Sequence, residues 1–287
     1  MKNSKLIFLN ILSVFLLSSC SIINKNLKSD SIIKNKWSGE TVLFSDVSSQ
    51  ILKQKYINRG WTRFNKNKSI PYFKLKKKEG IILGNYYSRQ KEYLVVQLDN
   101  GRKYKWEKPY WQINDNALPG HLCRSKDLEQ AEKLKGKYIW LNFINDDTSF
   151  INVTGQIYNK FKKVKVIGTK IYQNGKRDWP IWLVIDSDND FNSMVRYNGA
   201  KKIVGKQNFY FEEQPLPKIW GEDLILTIIS GKISHGMSDE QVRVAIGNPD
   251  IINNTSSRHS ISEQWIYGSV VGQKKYLSFE YGKLVLM

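Results

Sequence analysis

The first twenty residues, MKNSKLIFLNILSVFLLSSC, decide how much of this chain is left to build a folded body. Lys2 and Lys5 precede a twelve-residue apolar run, Leu6 to Leu17, and the small Ser18 and Ser19 lead straight into Cys20. A helix needs about 20 apolar residues to span a bilayer, so the run is too short to be a membrane span. A basic flank, a short apolar stretch and a small-residue exit have the anatomy of a removable secretion signal. Residues 1–19 are therefore expected to be missing from the folded protein. The next stretch, SIINKNLKSDSIIKNK, is polar and has neither helical nor strand period, so residues 20–36 read as a flexible tether. About 250 residues remain, enough for a sizeable core divided into two or three units. Pattern changes along the chain place these units at 37–124, 125–220 and 221–287.

The tetrapeptide LSSC resembles a lipobox, the site at which bacterial lipoproteins are matured. That resemblance implies diacylglycerol on the Cys20 thiol, cleavage before Cys20 and acylation of the new amino terminus. Several acyl chains give a stable membrane anchor, whereas one chain binds only marginally and reversibly. Ser21 follows the cysteine in place of Asp, which resembles the signal for outer-membrane rather than inner-membrane sorting. The expected location is thus the cell envelope, with the membrane contacted through the lipid.

The whole chain carries a formal charge of +19; without the two lysines of the leader, 43 basic and 26 acidic residues leave the body at +17. Such a surface attracts polyanions. Secretion removes nucleic acid from the available partners and leaves anionic lipid headgroups, lipopolysaccharide phosphates and acidic envelope polymers. The basic residues are 36 Lys and only 9 Arg. Arg suits planar, bidentate phosphate recognition, so the balance favours diffuse attraction or plain solubilising charge. Lys76, Lys77, Lys78, Lys162 and Lys163 are the candidate anion contacts.

With Cys20 taken up by lipid, Cys123 is the only remaining thiol, and an internal disulfide is excluded. Cys123 lies two residues from His121, a spacing that puts both side chains on one face of a strand. An envelope hydrolase using Cys123 with a His base (His121, His235 or His259) is the alternative to a binding protein. No nucleophile signature surrounds Cys123, and a lone Cys is more often a small buried hydrophobe. Asp186, Asp188 and Asp190 imitate the opening of a calcium loop, but Phe191 and Tyr197 stand where that loop needs Gly and Glu. No metal, cofactor or catalytic residue is expected.

Val47, Ile51, Leu52 and Ile57 suit a short helix begun near Ser45. Beyond it strand signals dominate, with Asp99-Asn100-Gly101 as a hairpin turn. A polar helix is predicted from Ser125, acting as N-cap, to about Lys135, with Asp127 in its first turn and Gly136 past its end. Residues 73–107 and 161–198 share an order of features: a basic start from Phe, a strand with a Gly near its middle that ends at Tyr, an aromatic before Leu-Val, and an Asp turn. That order suggests a duplicated small barrel or meander, SH3-like.

The last 67 residues are the most structured part of the sequence. An apolar helix ends at Gly231, and Ser238 with Gln241 form a capping box. Val242, Ala245 and Ile246 share one helical face, and Gly247 and Pro249 stop the helix. Trp265 and Tyr267, then Leu277, Phe279 and Tyr281, alternate as strands, with Gly282-Lys283 as a turn. Two helices on a three-stranded antiparallel sheet are expected. These features, together with Ile233, Gly236-Met237 and Gln241-Val242, make residues 221–287 resemble the SmpA/OmlA domain, the BamE-like fold of outer-membrane lipoproteins. The resemblance implies a module that engages proteins or lipids at the periplasmic side of the outer membrane, without catalysis. The expected fold class is α+β, mostly β: a strand-rich central region followed by this module. The expected role is a non-enzymatic binding or scaffolding module with an envelope protein partner.

Overall fold

The computed structural model describes residues 31–47, 60–66, 68–109, 118–144, 147–153, 155–174, 180–186, 192–256, 261–268 and 272–287. The leader, Cys20, His259, Asp188, Asp190 and residues 48–59, which hold most of the helix expected after Ser45, lie outside the described residues. Strand greatly outweighs helix, which places the chain in the mostly β, α+β class. The described chain forms two compact units, one within Met1–Val42 and Ile51–Ala117, the other within Leu43–Gln50 and Leu118–Met287.

The first unit is built on an antiparallel meander. Strand β1 (Thr41–Phe44) starts here, β2 (Asp46–Val47) belongs to the second unit, and β3 (Trp61–Arg63), β4 (Glu79–Ser88), β5 (Lys91–Leu98) and β6 (Lys103–Glu107) follow in sheet order β3-β6-β5-β4-β1. The turn at Asp99-Asn100-Gly101 forms as expected, with Gly101 at φ 75°. Glu92 and Lys108 make a buried ion pair at 2.5 Å, and Asn85 donates to the same carboxylate at 2.8 Å. The desolvation cost of these charges is met by mutual attraction and by the amide hydrogen bond. Asn35 in turn donates to the Asn85 side chain at 2.6 Å. Ile33 and Asn85 exchange both backbone hydrogen bonds at 2.8 Å. The segment around Ile33, expected as flexible tether, is therefore docked through one antiparallel β-bridge. Its approach demands a glycine at position 84, where a Cβ would meet the Ile33 carbonyl oxygen at 2.2 Å and φ is +144°.

The second unit contains two sheets. Strand β7 (Leu122–Arg124) precedes the first helix and is not part of the larger sheet, which comprises β8 (Tyr138–Leu141), β9 (Phe150–Ile151), β10 (Lys163–Gln173), β11 (Ile181–Ile185), β12 (Met194–Arg196) and β13 (Tyr210–Phe211), in the order β13-β8-β10-β11-β12-β9. Strand β2 lies parallel to the end of β10, so Val47 is strand rather than helix. Helix α1 (Ser125–Glu132) packs over this sheet through Ala131. Its N-cap is Arg124, not Ser125, because the Arg124 guanidinium forks onto Asp127 with two contacts of 2.6 Å. Both β4 and β10 shift register at a glycine, between Ile82 and Gly84 and between Val166 and Gly168. The two meanders thus share a bulge as well as an order of residues.

The carboxy-terminal part contains α2 (Glu222–Ile229), α3 (Asp239–Ile246), β14 (Ile251–Ser256), β15 (Ile261–Tyr267), β16 (Lys275–Glu280) and β17 (Lys283–Leu286). The expected cap chemistry is present. Gly231 takes φ 69°, and the Ser238–Gln241 capping box closes with bonds of 2.7 and 3.2 Å. The sheet has four strands, not three, in the order β14-β15-β16-β17. The turn into β17 uses Tyr281-Gly282 (φ 47° and 72°), one residue earlier than expected, because Glu280 pairs with Lys283. Trp265 and Phe279, with ring centroids 4.3 Å apart, centre a core shared with Val242, Ala245 and Leu284.

Gly84→Ala is expected to cost more than about 1 kcal/mol, because a side chain is forced into a positive-φ position already occupied by a carbonyl. Denaturant unfolding measures the loss, and limited proteolysis should show new cleavage near Ile33. Wild-type stability and protection would contradict the docked segment.

Candidate functional site

Between Arg196 and Tyr210 the chain is rich in Asn, Gln, Lys and Gly, and too poor in apolar residues to hold itself by packing. It is held by side-chain amides that replace missing strand neighbours. Asn198 accepts from the Phe209 amide at 2.6 Å and donates to the Tyr210 carbonyl at 3.0 Å. Asn208 grips both backbone groups of Lys202, donating to its carbonyl at 3.0 Å and accepting from its amide at 3.2 Å. Gln207 does the same to Asn248, at 2.8 and 2.7 Å. Asn248 returns two bonds, to the carbonyls of Lys202 and Lys206. Buried polar groups are tolerable when fully paired, and such networks then fix one conformation.

These bonds tie the loop to the end of α3. Gly247 follows that helix at φ +92°, and a Cβ there would meet Gln207 Oε1 at 2.3 Å and Phe143 at 2.7 Å. Only the missing side chain lets the Gln207 amide lie against the backbone. Lys160 reaches the same helix end, donating to the carbonyls of Val244 at 2.7 Å and Ala245 at 2.8 Å, with its ammonium 4.7 Å from the Phe161 ring. Those carbonyls have no partner within the helix and sit at its negative end, so a cation there is favoured. Burial nevertheless pushes the Lys160 ammonium down to about 8.

The loop, the edge strand β13 and α3 together line an open-mouthed cavity of about 330 Å³. Small-molecule sites typically occupy about 300–1,000 Å³. Lys201, Lys202 and Arg243 face it from the loop and the helix, and Glu212, Glu213 and Glu240 balance them. Arg243 is held in place from three sides: its guanidinium lies 4.1 Å from the Trp265 ring centroid and 3.9 Å from Asp239, and it donates to the Ile203 carbonyl. Deeper in the wall, Asn142 Oδ1 and Tyr210 Oη are buried with no hydrogen-bond partner among the described residues. Burial raises the Tyr210 phenol well above its ordinary range, so it stays protonated. The site offers neutral amides, a protonated phenol and balanced charge. Among the described residues no group of three His, Cys, Asp or Glu side chains could hold a metal ion. The chemistry present is that of hydrogen bonding and desolvation.

Of the sequence-predicted residues, Lys76, Lys77 and Lys78 form a turn in the first unit, with Lys77 at φ 59°. Lys162 and Lys163 are exposed at the start of β10 in the second unit. None of the five lines the cavity. Cys123 is 2% exposed in the core beneath α1, its thiol directed to the Arg124 carbonyl. Burial, chiefly, pushes that thiol up to about 12, the reverse of what a nucleophile needs. His235 is exposed on the turn before α3, away from Cys123 in the chain. The amides that build the site escaped sequence reading. Their one signal is the density of Asn, Gln and Gly between residues 198 and 208. Comparison with protein-family models, curated proteins and solved structures gave no match.

Because the folded pKa of Lys160 lies below its ordinary value of 10.5, burying its charge opposes folding fully below about pH 8. That opposition fades as pH rises from about 8 towards 10.5, since only the unfolded chain then binds the proton. The stability of wild type relative to Lys160→Met should therefore increase between pH 7.5 and 9.5 in denaturant titrations. A flat or falling difference would contradict a buried, depressed amine.

Proposed function

We propose that this chain is a lipid-anchored cell-envelope protein that works by binding and scaffolding, not catalysis, at the periplasmic side of the outer membrane. The observation that carries the binding reading is the cavity beside α3, whose walls are tied by paired amides before any ligand arrives. A site prearranged in this way loses little conformational entropy when occupied. The anchor is supported by the leader and by Cys20. Docking of Ile33 leaves a short stretch, from Cys20 to about Asp30, to connect the anchor to the body, which would keep the protein close to the membrane.

Residues 221–287 are read as a BamE-like module of the SmpA/OmlA kind, supported by the capping box, the Gly231 and Gly247 caps and the Trp265–Phe279 core. A partner protein in outer-membrane assembly or envelope integrity fits that reading. The shared glycine bulge of β4 and β10 supports a duplicated, SH3-like origin for the central meanders. The alternative, hydrolysis by Cys123, loses ground because its thiol is buried and held protonated.

Mass spectrometry of protein isolated from its native host tests the anchor. The expected result is loss of residues 1–19 and an acylated amino-terminal Cys20. A retained leader or an unmodified Cys20 thiol would overturn the location and the partners inferred from it.

A further inference from the structure

The antiparallel pairing of β8 and β10 sorts their side chains cleanly. Ile139, Leu141, Val164 and Val166 enter the core. The other face carries Tyr138, Trp140, Lys163 and Lys165, with Lys163 opposite Trp140 and Lys165 opposite Tyr138. Phe211 of β13 faces Trp140 from the other side. Lysines and aromatic rings therefore interleave across three adjacent strands. Tyr138 is 51% exposed, both lysines are exposed, and Trp140 and Phe211 are half-buried. The Lys163 ammonium lies 4.4 Å from the Tyr138 ring centroid and 5.5 Å from that of Trp140. Lys162, next to it, lies 4.7 Å from the Tyr158 ring. Of the nearby acids, Asp186 follows β11 beside Lys165, whereas Glu212 alternates with Phe211 and lines the cavity, so the two lysines of the face meet one carboxylate.

Phe211 packs against the carboxy-terminal core and stacks on Phe161, but Tyr138 and the open part of Trp140 expose apolar ring area to water, which is unusual for a free surface. Phenol and indole rings, with an apolar body and one polar edge, are suited to the boundary between lipid and water. Lysines complement a negatively charged membrane surface and need no bidentate geometry to do so. We propose that the outer face of β8 and β10 rests on an anionic phospholipid bilayer, with Tyr138 and Trp140 among the headgroups and Lys163 and Lys165 on lipid phosphates. This rests on the membrane-tether reading, because the anchor is what brings this face to a bilayer. It also narrows the sequence-based set of five lysines to one residue of this surface, Lys163: Lys162 precedes the strand and lies over Tyr158, which packs on the core, and Lys76 to Lys78 lie in the other unit.

The test uses the full mature chain with Cys20→Ser, so that no acyl group contributes, and vesicles of phosphatidylcholine with or without an equal part of phosphatidylglycerol. Sedimentation should show binding to the anionic vesicles, weakened by salt, and little binding to phosphatidylcholine alone. Lys163→Gln with Lys165→Gln should weaken that binding roughly twenty-fold, on the order of five-fold per lysine near a charged membrane. Tyr138→Ser should weaken it several-fold with circular dichroism unchanged, whereas Lys76→Gln with Lys77→Gln should leave it as in wild type. Equal binding to both kinds of vesicle would overturn the proposal. So would equal loss in both lysine pairs, or competition by a soluble polyanion that is indifferent to Tyr138→Ser. Failure here is separable from failure of the tether, which is read from the Cys20 acyl group by mass spectrometry.

Discussion

The Gln207 side chain, clasping both backbone groups of Asn248, is the contact on which the second unit depends. A primary amide can offer a carbonyl acceptor and an N–H donor side by side, the pair that a strand residue presents to its neighbour. It thereby joins a loop leaving the larger sheet to the residues that end α3, with no strand pairing between them. The junction works only because Gly247 has no Cβ and because Asn248 fastens the Lys202 and Lys206 carbonyls in return. Lys160 adds a cation at the same helix end. Each of these groups is costly to bury alone and inexpensive when all are paired, so the junction is cooperative.

That cooperativity connects fold to function in the proposed reading. The cavity beside α3 is walled by the amide-tied loop and β13 on one side and by Arg243, pinned on Trp265, on the other. Fixed walls suit recognition. The face of β8 and β10 has the opposite character: a half-exposed Tyr138, a half-buried Trp140 and exposed lysines, suited to a fluid and chemically uniform surface. One unit would then present a shaped site for a specific ligand and a broad site for a membrane, with Cys123 serving only as core.

Local chemistry in the sequence was readable wherever its partners are close along the chain. The Ser238–Gln241 box, the Gly231 cap and the Asp99-Asn100-Gly101 turn each involve residues within three or four positions, and each forms. Where two local signals compete, residue type alone does not decide the outcome. Ser125 is a good N-cap by type, but the Arg124–Asp127 ion pair moves the cap back by one residue. Val47 has helical spacing to Ile51, yet it pairs with Gln173 as a strand. Strand β14, with the sequence IINNTS, lies at a sheet edge and shows no apolar alternation that would mark it as a strand. The docking of Ile33 and the amide junction were invisible for another reason. Their partners lie some 40 to 50 residues away, and Asn or Gln in a polar stretch reads as loop until its distant partner is known.

Native-state hydrogen exchange tests the junction most directly. If Gln207 and Asn248 join the larger sheet and α3 into one cooperative body, the amides of Asn142 and Phe209 and those of Val242 to Gly247 should exchange with similar opening free energies. Gln207→Ala should lower both sets together. Exchange of α3 that is independent of the larger sheet, and unmoved by Gln207→Ala, would contradict a site held together from both sides.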